Sequence, residues 1–347
     1  MSTLLWALLA LCALWMALRY LPAGWDWHRP LPELIALVPL LSAPLMVLLV
    51  WSLVITAWPQ AVAATLLLLL ETIWLLPFLL HLPSGVLAIS ALPGFSQPDA
   101  ATVSPKRLTV MSLNCKYGHA DAQAIKAAVE RQHVDLLALQ EVSQTLLDRL
   151  REAGLPMVLP YQSVGVATTD DNGGFNAVFS RIQPKGRRPQ SVSLPASAVP
   201  TLTVEALGRT ILVASAHPKS PQRGGSNWGA SILALAGLSP AAPSPAAQAS
   251  ARRQAGDADD ALIMGDLNSS VHHPSFRRLL SDGHLLDAGG EASAGLHPTF
   301  PASWATLPPL IEIDHVLHTQ GLACTGLRSL RIPSTDHMAL VATLQAA

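Results

Sequence analysis

The chain of 347 residues carries 22 Lys+Arg against 23 Asp+Glu, a formal charge of −1. That balance excludes a strongly basic nucleic-acid-coating protein and an acidic disordered chain. Half of the residues are hydrophobic and only 13% are charged, against about 25% in an ordinary soluble domain, so part of the chain is built for a solvent other than water. Three scattered cysteines, Cys12, Cys115 and Cys324, are too few for a disulfide framework or a thiolate zinc site.

The charge deficit is local. Residues 1–100 hold Arg19, Arg29, Asp26, Glu33, Glu71 and Asp99, 6 of 45 charges, together with seven of the nine Trp. Three apolar runs, at about 4–20, 34–58 and 61–80, approach or exceed the roughly 20 residues needed to cross the hydrocarbon core. The first is short, but Trp6, Trp15, Tyr20, Trp25 and Trp27 suit an interfacial belt. It lacks a basic n-region and a small-x-small cleavage site, so it reads as a retained helix and not a signal peptide. Glu71, within the third run, reads as a protonated carboxyl bonded to a neighbouring helix in preference to a proton-pathway group. Three crossings put the N-terminus and the remainder of the chain on opposite sides. Arg19 and Arg29 in the first loop hint that the C-terminal portion is cytoplasmic.

Residues 83–106, rich in Pro, Ser, Gly and Ala, read as a linker between a membrane region at 1–82 and a domain at 107–347. Leu108–Leu113 reads as an apolar strand. Asp121 caps a helix to about Gln132, and Val134–Leu139 is a second strand followed by a helix from Ser143. Further strands are expected at Phe175–Ser180, Leu202–Ala206, Thr210–Ala216, Ala261–Met264, Ile313–Leu317 and Ala339–Leu344. Asn172-Gly173-Gly174 reads as a turn, and Ser239–Ala255 as a biased loop leading into a helix. His272-His273 reads as a loop or a cap before a helix near Pro274, and Arg181 as either a phosphate contact or a surface ion pair.

Strong polar groups recur at the strand ends: Asn114 after LTVMSL, Glu141 after VDLLALQ, His217 after TILVASA, Asp266 and Asn268 after ALIMG, Asp314 in IEIDHVL, and Asp336-His337 before MALVATL. Ends of buried strands are where a rigid scaffold presents reactive groups. Each residue alone has an ordinary structural reading as a cap or turn former; one shared site explains all of them. Carboxylate and amide oxygens without thiolate suit Mg²⁺ or Mn²⁺. With a metal at Glu141, a water-orienting Asp266 and histidines on the phosphate, the set suits phosphate-ester hydrolysis. No Gly-rich phosphate loop, G-x-S-x-G elbow or H-E-x-x-H is present.

The ordered set SLN…LQE…SAHP…GDLN…IDHVL…TDH resembles the endonuclease/exonuclease/phosphatase superfamily over about residues 107–345. The resemblance implies a four-layer α/β/β/α sandwich of two packed mixed sheets, here preceded by about three transmembrane helices. It implies a metal site at Asn114, Glu141 and Asp336, and a catalytic set of His217, Asp266, Asn268, Asp314 and His337. In that set His217 contacts phosphate or acts as an acid, Asp266 orients water, Asn268 steadies the transition state and Asp314 orients His337. Leu267 replaces the common Phe of GDFN and Thr335 the Ser of SDH; neither change removes a reactive group.

Apolar spans before such a domain, and the stretch GLHPTFPASWATLPPLIEIDHVL, resemble a bacterial membrane-anchored subgroup that includes a teicoplanin-resistance membrane protein. That resemblance implies a multi-pass protein of the cell membrane. Its catalytic domain would be extracytoplasmic, against the loop-charge hint, and would act on an envelope or lipid-linked phosphate or pyrophosphate. The expected partners are the bilayer and a phosphorylated lipid or envelope substrate, with no obligate protein partner. A membrane-bound nuclease of the same fold is the first alternative, less favoured because Lys and Arg form no long stripe. A non-catalytic headgroup-binding protein is the second.

Overall fold

The computed structural model describes residues 2–80, 107–166, 174–192, 194–195, 197–241, 258–292, 295–303 and 306–347. The expected linker at 83–106, Asn172-Gly173 and most of Ser239–Ala255 lie outside the described residues.

The first sheet contains β1 (Leu108–Asn114), β2 (Leu136–Val142), β3 (Tyr161–Val164), β4 (Phe175–Ser180), β11 (Leu322–Arg331) and β12 (Met338–Ala346), in the order β11-β12-β1-β2-β4-β3. The second contains β5 (Pro184–Arg188), β6 (Thr201–Ala206), β7 (Arg209–Ser215), β8 (Asp260–Asp266), β9 (Leu285–Asp287) and β10 (Asp314–Thr319), in the order β5-β6-β7-β8-β10-β9.

The central strands are buried on both faces, which is why they are continuous apolar runs with no polar alternation. Along β1, Val110 faces the space between the sheets while Met111 and Leu113 face outward; along β2, Leu136 and Ala138 face in while Leu137 and Leu139 face out. Met264 of β8 and Val316 of β10 meet the inner set from the other sheet. Helices α5 (Ala122–Arg131) and α6 (Gln144–Glu152) cover the outer face of the first sheet. Asp121 and Ser143 cap them, accepting from Ala124 N at 2.8 Å and Leu146 N at 3.1 Å. Trp228 of α8 (Pro221–Ala234) and Phe276 and Leu279 of α9 (Pro274–Gly283) cover the second sheet. The result is the expected four-layer α/β/β/α arrangement.

Two pairings are parallel, β1 with β2 and β7 with β8, and each lies inside an otherwise antiparallel sheet. β12 runs antiparallel to β1, and β10 antiparallel to β8 with Asp314 opposite Asp266. The carboxyl ends of β1, β2, β7 and β8 and the starts of β10 and β12 therefore share one edge of the sandwich. Strands β3, β5, β9 and β11 were not expected. Each lies at or next to a sheet edge and is short or partly exposed, without the apolar run that marks a buried strand.

The N-terminal region contains α1 (Ser2–Ala17), α2 (Leu31–Ala36), α3 (Ser42–Val54) and α4 (Trp58–Leu79). Two helical stretches, Ser2–Tyr20 and Trp58–Leu79, are long and apolar enough to cross a membrane. The run expected as a second span at 34–58 is instead divided: α2 gives way to a 3-10 turn at Val38–Leu41, and α3 keeps only 13 residues, about 20 Å of helix. Pro39 supplies the physical reason, because it has no N–H to continue a helical ladder. At the new N-terminus, Ser42 N donates to Glu71 Oε1 at 3.2 Å, so Glu71 is bonded to a neighbouring helix end. Leu5, Leu9, Met16, Leu45 and Leu48 form the seam between these helices. Leu14, Val47, Val50, Val54, Leu66, Leu69 and Ile73 face outward and are more than half exposed.

The loop after α1 docks on the sandwich. Asp26, fully buried, accepts from Ser275 N at 2.8 Å and Ser275 Oγ at 2.5 Å, capping α9 from 249 positions away. His273 Nε2 bonds Pro32 O at 3.0 Å, and Arg19 Nη1 donates to Val271 O at 3.0 Å. Arg181 is a surface pairing group, bonded to Val134 O and 3.7 Å from Asp135. Replacing Asp26 by Ala removes the acceptor for two donors at a helix start and is expected to cost about 1–3 kcal/mol. The check is chemical unfolding of the full chain in detergent, with hydrogen exchange rising first over 274–283.

Candidate active site

Six strand ends put eight side chains at one edge of the sandwich. Asn114 closes β1 and is buried. Its Nδ2 donates to Asp266 Oδ2 at 2.9 Å, across to the other sheet, and lies 3.3 Å from Glu141 Oε1. Glu141 stands at a register slip in the β2–β4 pairing with φ of 51°. A left-handed backbone at a residue other than Gly costs about 1–2 kcal/mol, and such strain persists where the surroundings over-determine it. The slip turns the Glu141 side chain into the cavity, where Oε2 accepts from Tyr117 N at 2.8 Å.

Asp266 closes β8. Its Oδ1 accepts from Asn268 N at 2.9 Å, and Oδ2 lies 3.4 Å from His217 Nε2 and 3.7 Å from His337 Nε2. Gly265, just before it, lets the backbone approach Ala216: a Cβ there would sit 1.8 Å from the Ala216 carbonyl oxygen. Asn268, with φ of 50°, directs its amide to Pro218 O at 3.2 Å. Asp314 Oδ2 bonds His337 Nδ1 at 2.8 Å. Thr335 Oγ1 donates to Asn114 O at 2.7 Å, tying the start of β12 to the end of β1. Asp336 lines the cavity and pairs with Lys116 Nζ at 3.3 Å.

Burial makes these charges interdependent. It pushes the Glu141 carboxyl up to about 7, with Asp266 adding to the shift and His217 and Asn114 opposing it. Burial also disfavours charge on His337, but Asp314 and Asp266 overcome it and raise the imidazole to about 10. His217 is raised as well: burial opposes, and the carboxylates of Asp266 and Glu141 prevail. Asp266 moves the other way, since against the same burial the His337 and His217 imidazoles hold it far below the usual carboxylate range.

The donor set fits a hard divalent cation. Oxygen ligands dominate, and the nearest thiol, Cys115, is buried with its ionisation pushed upward by burial. Asp314 Oδ1 is buried without a hydrogen-bond partner among the described residues, and Asp266, Asp314 and His337 offer ligand atoms within 4.8 Å of one another, but Asp314 holds the His337 ring, which leaves Glu141 as the carboxylate open to the cation. A cation beside Glu141 would also restore its ionised form.

The surrounding cavity holds about 220 Å³. Lys116 and Arg223 bring positive charge, and Arg223 also stacks on Tyr117 at 5.5 Å. Phe300 packs on the His337 ring at 4.9 Å. Sequence reasoning missed Lys116, Tyr117, Arg223, Phe300 and the wall formed by Pro32, Glu33 and Ala36. Lys116 and Tyr117 had a signal, because they follow Asn114 within three residues. The others are brought in by loops and by the docked N-terminal segment, which no local pattern marks. His272 and His273 are outside the reactive set: they precede α9, and Ser270 N donates to His273 Nδ1 at 2.9 Å.

The Asp314–His337 pair yields a direct prediction. Asp314→Asn removes the negative partner, so the His337 titration falls from about 10 toward the ordinary imidazole value of about 6.5. Imidazole NMR of metal-free protein is expected to show the ring charged at pH 8 in the parent and neutral in the variant.

The endonuclease/exonuclease/phosphatase family model matches residues 111–337, the segment that carries all eight strand-end side chains. An endonuclease/exonuclease/phosphatase structure from Beutenbergia cavernae superposes with a TM-score of 0.52 at 19% identity, over 70% of this chain and 72% of the other. A family protein from Bacteroides thetaiotaomicron gives 0.51 at 17% identity, over 71% of this chain and 100% of the other. One from Bacteroides vulgatus gives 0.53 at 16%, over 70% and 99%. No curated protein matches the chain in sequence.

Proposed function

The chain belongs to the endonuclease/exonuclease/phosphatase family, a family of phosphatase- and nuclease-type hydrolases, and from that premise we propose that it is a membrane-anchored, divalent-metal-dependent phosphoesterase. Its substrate is an envelope or lipid-linked phosphate ester or diphosphate. The observation that carries this reading is the convergence of Asn114, Glu141, His217, Asp266 and His337 within hydrogen-bonding or ion-pairing range on one cavity.

Glu141 and Asn114 would hold Mg²⁺ or Mn²⁺, with Asp336 at the rim. The cation supplies neutralisation of phosphoryl charge and a lowered pKa for attacking water. Asp266, kept ionised between two imidazoles, would accept a hydrogen bond from the water, aim it and receive its proton as the P–O bond forms. His337, kept charged by Asp314, donates from Nε2 to the phosphoryl oxygens as negative charge grows there. His217 does the same from the opposite side. Asn268 places its amide group beside them.

The outward apolar faces of α1, α3 and α4 support insertion in a bilayer. The bonds of Ser2 to Gln60 at one end, and of Arg19 to Val271 at the other, support the catalytic part lying on one side only. Arg19 is engaged with Val271 and His272, and Arg29 with Glu33. The charge of Arg19 serves docking and that of Arg29 is paired locally, which weakens the loop-charge hint of a cytoplasmic domain. The extracytoplasmic placement of the catalytic part belongs to the same proposal.

Purified full-length protein is expected to release phosphate, or to cleave a phosphodiester, with Mg²⁺ or Mn²⁺ and to stop with EDTA. Glu141→Gln raises the metal concentration required for half-maximal activity. Asp266→Asn lowers kcat about 10²- to 10⁴-fold while calorimetry still detects metal binding. Metal-replete protein inert toward lipid phosphates, soluble esters and plasmid DNA would overturn the assignment; rapid plasmid cutting with lipid phosphates untouched would favour the nuclease alternative.

A further inference from the structure

We propose that the segment 31–36 is a wall of the active-site cavity and receives the apolar chain of a lipid phosphate, so that the N-terminal region selects the substrate as well as anchoring the enzyme. The inference rests on the phosphoesterase reading and assigns its substrate class.

The cavity lining is mixed. Glu141, His217, Asp266 and His337, with Lys116 and Arg223, bring charged groups suited to a phosphate. Pro32, Ala36, Phe300, Ile311 and Ile313 bring apolar surface, Phe300 lying against the His337 ring, and Glu33 and His273 are also in the lining. Nothing in phosphate hydrolysis calls for an apolar wall. A substrate whose phosphate carries a hydrocarbon chain does, because removing that chain from water is favourable by about 0.8 kcal/mol per CH₂.

This wall is seated firmly. Asp26 caps α9, and Pro32 O takes the His273 ring nitrogen. Trp27 lies on α8 so closely that a Cβ at Gly225 would fall 2.2 Å from its carbonyl oxygen. The wall is also continuous with the apolar exterior. Ala36 leads through the 3-10 turn at Val38–Leu41 into α3, whose Met46, Val47 and Val50 face outward, while Leu307 and Leu310 stand exposed just before Ile311. A hydrocarbon chain directed from the cavity past Ala36 toward α3 would meet surface of its own polarity. A nucleic acid gains nothing from such a wall, since its affinity depends on neutralised phosphates along an open, basic approach.

The experiment uses the full chain in nanodiscs with a hexadecyl phosphate that carries a diazirine on its chain. After illumination, cross-links are mapped by mass spectrometry, and phosphate release from unmodified lipid phosphate is measured separately. Cross-links are expected on peptides containing Pro32–Ala36 and Ile311–Ile313, suppressed by excess dioleoyl phosphatidic acid. Ala36→Trp, which fills the wall, is expected to lower them at least fivefold. Cross-links to the outward face of α4, at Leu66, Leu69 and Ile73, report bilayer insertion and stay constant if the variant is folded. Labelling confined to the outward helix faces in the parent protein overturns the inference whatever the variant does. Absent phosphate release with the cavity labelled would sink the hydrolase reading and leave the lipid site standing.

Discussion

The carboxylate of Asp266 is the point on which both sheets depend. It is an almost fully buried negative charge, and such a charge is tolerated only when several partners share it. Asn114 donates to it from the opposite sheet, Asn268 N from the following turn, and His217 and His337 approach from the two flanks. The same contact that holds the charge therefore holds β1 against β8. Because Asp314 lies opposite Asp266 in the β8–β10 register, a slip of one residue would turn Asp314 to the other face and release His337.

At the same edge, the packing between the sheets carries a second polar tie. Gln140 Nε2 donates to Ser215 Oγ at 2.9 Å, and Ser215 Oγ donates to Leu139 O at 3.0 Å. Buried bonds of this kind add little net stability but fix which strand faces which. They place the ends of β2 and β7 side by side, which is what brings Glu141 within 3.8 Å of His217. The N-terminal region joins the same scheme. Asp26 provides the cap that α9 lacks locally, and in doing so seats Pro32 and Ala36 at the cavity. The N-terminal helices and the sandwich are joined at this contact.

Much of the sandwich was legible in the sequence because its central strands are buried on both sides and read as unbroken apolar runs. LTVMSL and ALIMG also announce where they end, since Asn114 and Asp266 break the run at the point where the strand leaves the core. Glu141 was legible by position, but its left-handed backbone was not: strain of that kind comes from the tertiary setting. The edge strands β5 and β11 were missed because PKGRR and LACTGLRSLR look like polar loops until a neighbour completes the ladder. The division of the run at 34–58 was recorded in Pro39, which a hydropathy count passes over. Arg223, Phe300 and Ala36 come to the cavity through contacts over long sequence distances, and no window of residues contains that information.

The central claim is that these strand ends converge on one divalent ion. Manganese-soaked crystals of the full chain, with data collected at the manganese absorption edge, test it directly. The account predicts one anomalous peak within bonding distance of a Glu141 carboxylate oxygen, beside Asn114 and across the cavity from His337. Anomalous density only at surface carboxylates, with Glu141 bare in well-ordered maps, would contradict it.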